Sequence, residues 1–199
     1  MNNPDLEKRI AFIEELEKLK LVYRQNVAVD GSRQENSAEH SWHIAVMAMV
    51  LSDYSDFKNI DLLKVLKMLL IHDIVEIDAG DTFLYDSEAN KSKDADENLA
   101  ANRIFGLLPE DTKNEFISLW KEFEKRESAE AKFAASLDGL QPIMNHYLSN
   151  GLGIIKHKLK TNQIIEKKRY ISDASKELWD YAMEMIQKSE DAGLYSKPD

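Results

Sequence analysis

Asp61-Leu62-Leu63-Lys64-Val65-Leu66-Lys67-Met68-Leu69-Leu70-Ile71-His72-Asp73-Ile74 is the stretch that decides the fold. Its apolar residues recur at helical spacing, which predicts a helix from about Asp61 to Ile74. The helix ends in two hard-metal ligands, His72 and Asp73, and Glu76 follows one turn later. Burying an imidazole beside a carboxylate is costly unless something binds both, and a divalent cation would do so. Neighbouring helical side chains diverge by about 100°, so the two reach one ion only near a helix end. The acidic segment Glu76-Ile77-Asp78-Ala79-Gly80-Asp81-Thr82, turning at Gly80, supplies that end.

The same periodicity extends in both directions, and only 4 Pro and 7 Gly interrupt it. The expected class is all-α, a single-domain helical bundle with the metal site in its core. Upstream, Ile10, Ile13, Leu16 and Leu19 form a stripe on a first helix, about Asp5 to Lys20. Asn26 to Asn36 reads as a polar loop, and Ser37 as the N-cap of a helix from Ala38 to Tyr54. That helix is apolar nearly all round (Ile44, Val46, Met47, Val50, Leu51), which predicts a place in the middle of the core. Downstream, Tyr85 to Asp96 reads as a mobile surface stretch before a helix from Glu97 to Leu107. Further helices run from Leu108-Pro109-Glu110-Asp111 to Lys125 and from Ser128 to about Leu148. Asn150-Gly151-Leu152-Gly153 is a break. It divides residues 1–150, the expected core, from 151–199, an expected helical extension packed on that core.

Composition narrows the partners. The net charge of −10, from 26 Lys+Arg against 36 Asp+Glu, argues against long nucleic acid, which wants a basic face. It leaves room for a small phosphate ester neutralised locally by a metal and an Arg. The absence of cysteine excludes thiolate sites and leaves imidazole and carboxylate donors, which suit Mn, Co, Zn, Fe or Mg. No run approaches a membrane span, and Met1-Asn2-Asn3-Pro4-Asp5 has no signal-peptide character, so a cytoplasmic protein is expected.

Two ligands hold an ion loosely. His40, in Ala38-Glu39-His40-Ser41-Trp42-His43, and Asp138, in Ala134-Ala135-Ser136-Leu137-Asp138-Gly139, are the best candidates to join His72 and Asp73. Each has a bland alternative: a polar first-turn residue for His40, a surface acid for Asp138. His43 reads as a core histidine, and His146 and His157 as surface residues. The cluster Lys156, His157, Lys158, Lys160, Lys167, Lys168 and Arg169 reads as a solvated helical face. Trp179, Tyr181, Met183 and Met185 are expected against the core or a partner subunit.

The order His40, His72-Asp73, Asp138 resembles the HD-domain superfamily of metal-dependent phosphohydrolases, and within it the small 5'-deoxynucleotidase branch. Arg24, Glu39-His40-Ser41 and His72-Asp73-Ile74-Val75-Glu76-Ile77-Asp78-Ala79-Gly80-Asp81 carry the resemblance, which spans roughly Leu16 to Tyr147. It implies one divalent ion on His40, His72, Asp73 and Asp138. It implies Glu76 as the residue activating water, Asp81 as an acid/base that also touches substrate, Arg24 as the phosphate clamp, a nucleotide substrate and a homodimer. Other HD-type reactions on nucleoside polyphosphates or cyclic nucleotides, or a catalytically idle metal-stabilised module, are the alternatives. The chain departs from its relatives in two places: Gln25 follows Arg24 where they often have Trp, and Thr82-Phe83-Leu84-Tyr85 replaces a proline-containing turn. Arg33 is a second candidate for the phosphate.

Overall fold

The computed structural model describes residues 3–86 and 88–198. Helix α1, Pro4–Leu16, is capped by the Asn3 side chain, and a 3-10 turn continues it to Leu21. Phe12 and Leu19 are its buried anchors, while Ile10 and Ile13 of the expected stripe lie exposed. The expected polar loop is instead an antiparallel hairpin, β1 (Tyr23–Val27) with β2 (Gln34–Asn36), bulged between its paired ends. The side chain of Asn36, not Ser37, caps helix α2 (Ser37–Leu51) in a capping box with Glu39. Ser37 thus enters the first turn with its hydroxyl free for another partner.

Helix α3, Leu62–Ile71, runs into a 3-10 turn over His72–Val75 and then the short α4, Glu76–Ala79. A 3-10 turn eclipses residues three apart, which sets Asp73 and Glu76 on one side. Gly80, at φ 74°, turns the chain toward Asp81. Helix α5, Lys93–Phe105, starts earlier than expected, so part of the stretch read as mobile is helical; of that stretch, Ser87 lies outside the described residues. Helices α6 (Glu110–Lys125), α7 (Ala129–Leu148), α8 (Thr161–Lys168) and α9 (Lys176–Asp191) complete the chain.

The middle of the core belongs to α7 rather than α2. Phe133, Leu137, Leu140 and Ile143 of α7 are buried against neighbours that include α3, α6 and α9. Helix α2 is two-faced: Ile44, Met47 and Ala48 are buried, while Trp42, Val46, Met49 and Val50 form an exposed apolar stripe. An all-apolar helix fits either a core or a partner's surface, and periodicity does not separate the two. His43, expected in the core, is also exposed on this helix. Leu178, Ala182, Met185 and Ile186 bury α9, with Tyr181 on its outer side.

The segment after residue 150 is built into the structure. Gly153 passes so close to β1 that a Cβ on it would lie 2.5 Å from the Gln25 carbonyl oxygen. Near the end, Thr161 N donates to Ser196 O (3.0 Å) and Ser196 N to Leu159 O (2.9 Å). His146, expected at the surface, is buried and stacks on Tyr195 with ring centroids 4.1 Å apart.

Burial pushes the His146 imidazolium pKa down to about 4. In the unfolded chain the group titrates near its ordinary value of about 6.5. As pH falls from about 6.5 toward 4, the unfolded chain therefore takes up a proton that the fold refuses, and stability is lost across that window. Urea unfolding at pH 7 and pH 5 should show this acid loss reduced in His146→Leu, by up to about 2 kcal/mol. An equal acid loss in both proteins would remove His146 as its source.

Candidate metal centre

Donor atoms of His40, His72 and Asp73 lie within 4.8 Å of one another, and all three residues are buried. Asp138 joins them from α7, with Oδ1 3.0 Å from His40 Nε2 and 3.8 Å from His72 Nε2. Asp73 Oδ1 is 2.9 Å from His72 Nε2. The four residues come from the first turn of α2, the 3-10 turn after α3 and the middle of α7. Distant parts of the chain meet at one point.

The outer hydrogen bonds decide what that point can hold. His72 Nδ1 donates to the Leu69 carbonyl (2.9 Å), which leaves Nε2 as a lone pair. His40 Nδ1 donates to Gln141 Oε1 (3.1 Å), and Gln141 Nε2 donates onward to Glu35 (2.8 Å), which fixes the amide's orientation. His40 Nε2 is then also a lone pair, facing a carboxylate oxygen. His72 Nε2 is buried with no hydrogen-bond partner. Two imidazole lone pairs and two carboxylates aimed at one point demand a cation, and this donor set fits a divalent metal.

The electrostatics show the same demand for positive charge, which a proton on His72 can meet where no metal does. Burial opposes charge on His72, but Asp73 and Asp138 outweigh it and push the imidazolium pKa well up. Burial would likewise raise Asp138, yet the His40 contact and the neighbouring His72 imidazole hold it well below the usual carboxylate range. Asp73 is also held low, by His72 and Arg24 against burial. His40 is kept neutral by burial and by the Arg24 charge.

The centre opens into a cavity of about 370 Å³, within the range of small-molecule sites. Glu76, Asp81 and Arg24 line it with His72, Asp73 and Asp138. Glu76 Oε2 accepts from the free Ser37 hydroxyl (2.7 Å), and burial with the Asp73 charge pushes the carboxyl up to about 8. Burial also raises Asp81. Arg24 Nη1 donates to Asp73 (3.0 Å) and stands 4.0 Å from Asp81. The Gln34 side chain and the Asn26–Asn145 bond (2.8 Å) tie β1, and so Arg24, to β2 and α7. Arg33 is exposed and engaged with Glu39 (2.7 Å), outside the cavity. Asp78 pairs with Arg103, also outside.

Several residues that support or line the site escaped the sequence. Gln141 left a legible sign: it lies one turn from Asp138, a polar residue in an apolar run. Glu35 was hidden in the hairpin, and Ser37 behind its apparent cap role. Lys93 and Glu97 of α5, and Lys168, Tyr170 and Tyr195 beyond residue 150, also line the cavity. Lys168 thus corrects the solvated basic face: it is buried. Both departures from relatives meet at one rim, where His157 lies 3.3 Å from Gln25 Oε1 and its ring 4.4 Å from that of Phe83.

An HD domain family model matches residues 16–179. The chain is similar to the human protein named 5'-deoxynucleotidase HDDC2, 38% identical over 112 residues, 56% of this chain and 53% of the relative. It therefore spans about half the length of the first curated relatives it matches. The crystal structure of a predicted metal-dependent phosphohydrolase from Magnetospirillum magnetotacticum MS-1 superposes with a TM-score of 0.92. That protein is 42% identical, over 96% of both chains. A Pyrococcus horikoshii OT3 protein of known structure is 25% identical, with a TM-score of 0.64 over 88% of this chain and 99% of its own. The match over most of the chain, joined to the His-Asp centre described above, places this protein in the HD domain family.

Proposed function

We propose that this protein is a metal-dependent phosphohydrolase that removes the 5'-phosphate from nucleoside monophosphates, deoxynucleotides included. The observation that carries the reading is the pair of facing lone pairs at His40 Nε2 and Asp138 Oδ1. They sit at a cavity also lined, beyond the ligand set, by the Glu76 and Asp81 carboxyls and by Arg24. A purely structural cation needs no such additions. The relatives named 5'-deoxynucleotidase HDDC2 support the substrate class.

His40, His72, Asp73 and Asp138 would hold one divalent ion, Mn, Co, Zn, Fe or Mg. Such an ion supplies polarisation of the phosphoryl group and a lowered pKa for water. Arg24 places its planar fork at the phosphate while shielding Asp73 and Asp81 from one another. Glu76, held through one oxygen by Ser37, takes the proton of the attacking water with the other. Asp81, just past the Gly80 turn, returns a proton to the leaving 5'-oxygen. Among the described residues no second cluster of three or more metal-ligating side chains occurs, which disfavours a two-metal diesterase. Residues 1–150 supply the reactive groups and 151–199 the remaining cavity wall. The exposed α2 stripe, with Trp42 65% and Val50 69% exposed, supports assembly as a homodimer through that face.

These assignments separate in experiment. Asp138→Ala should lose bound metal and the rise in melting temperature that Mn or Co confers on the wild type; unchanged metal content removes Asp138 from the ligand set. Glu76→Gln should keep the metal and lose at least about 100-fold in kcat for 5'-nucleotides. No phosphoester cleavage by the wild type with any of these metals would leave an idle fold instead. Val50→Asp should convert a dimer to a monomer in light scattering, and an unchanged mass would exclude the α2 face as the interface.

A further inference from the structure

Lys168, the last residue of α8, is only 8% exposed and lines the same cavity as Asp73, Asp138 and Arg24. Lys167 also lines it but is exposed to solvent, and the remaining cations of the lining are engaged. Arg24 bonds to Asp73 (3.0 Å), Lys93 pairs with Glu97 (3.5 Å), and the Arg126 guanidinium sits 4.3 Å over the Tyr170 ring. Lys168, among the described residues, has neither a hydrogen bond nor an ion pair. Its position is firm nonetheless. Tyr170, two residues on, packs so tightly on α7 that a Cβ at Gly139, next to Asp138, would lie 2.5 Å from the phenol oxygen.

An ammonium on a largely enclosed side chain, facing a cavity without a partner, costs stability that an apolar side chain would not. The cavity also needs an uncommitted cation. Asp73, Glu76, Asp81, Glu97, Glu124 and Asp138 all line it, and a phosphate dianion entering such a space is repelled unless positive charge remains available. Arg24 is already shared with Asp73 and Asp81.

We propose that Lys168 is a substrate-binding residue whose ammonium receives the phosphate oxygens of the substrate from the C-terminal wall of the cavity. This rests on the phosphohydrolase reading, but it is tested without turnover. The probe is inorganic phosphate, titrated by calorimetry into the metal-loaded full-length protein and into Lys168→Met and Lys168→Arg. The expected result is phosphate binding weakened about 10- to 100-fold in Lys168→Met, with metal content unchanged and melting temperature equal or higher. Lys168→Arg should stay within a few-fold of the wild type. In turnover, Lys168→Met should raise KM for nucleotides more than it lowers kcat. Equal phosphate affinity in wild type and Lys168→Met overturns the proposal. So does a lowered melting temperature with phosphate binding untouched, which would make the lysine structural. Should the wild type bind phosphate yet cleave no nucleotide, the proposed activity falls and the phosphate comparison still decides the role of Lys168.

Discussion

A neutral imidazole nitrogen and a carboxylate oxygen 3.0 Å apart in a buried site repel each other unless a cation joins them, and the rest of the site is organised around that constraint. Gln141 and the Leu69 carbonyl each take the other nitrogen of an imidazole, so neither ring can turn its proton inward to relieve the contact. Glu35 fixes Gln141 in turn. The structure holds its histidines in a form that is unfavourable alone and favourable around positive charge. Pro142 adds to this on α7: lacking an N–H, it leaves the Asp138 carbonyl without its helical donor at the turn that presents the carboxylate.

The cavity beyond the four donors is assembled from places that no single motif describes. The hairpin carries Arg24 and Gln25, the turn after α4 carries Asp81 to Tyr85, and α8 with its continuation carries Lys168 and Tyr170. They are held in register by close backbone approaches such as Gly153 on Gln25. An Ala at that position would push the C-terminal segment away from β1 and widen the rim where Gln25, His157 and Phe83 meet.

What could be read from the chain was whatever conflicts with its surroundings. His72-Asp73 ends an apolar run, Asp138 interrupts one, and both appeared as misfits that need a partner. Helical periodicity found most elements because α3, α6 and α7 bury one side continuously. The hairpin stayed hidden because its strands are short and polar, as Gln34-Glu35-Asn36 shows. Lys168 was misplaced because its sequence neighbours are charged, and His146 because it was read as a polar residue near a helix end; in both, burial is decided by what packs on them from elsewhere. The exposed face of α2 is the reverse case, an apolar surface that periodicity assigns to a core.

The chain order of the site has a consequence for its birth. All four donors precede Gly139, while Lys168, Tyr170 and Tyr195 come far later, the last tied in beside the Lys160–Ser196 bridge. On a ribosome, the donors emerge well before the wall that completes the cavity beside them. A chain halted in that interval would present a metal-hungry cluster with an open flank. A closed cavity therefore depends on the C-terminal segment docking in time, as well as on the donors themselves.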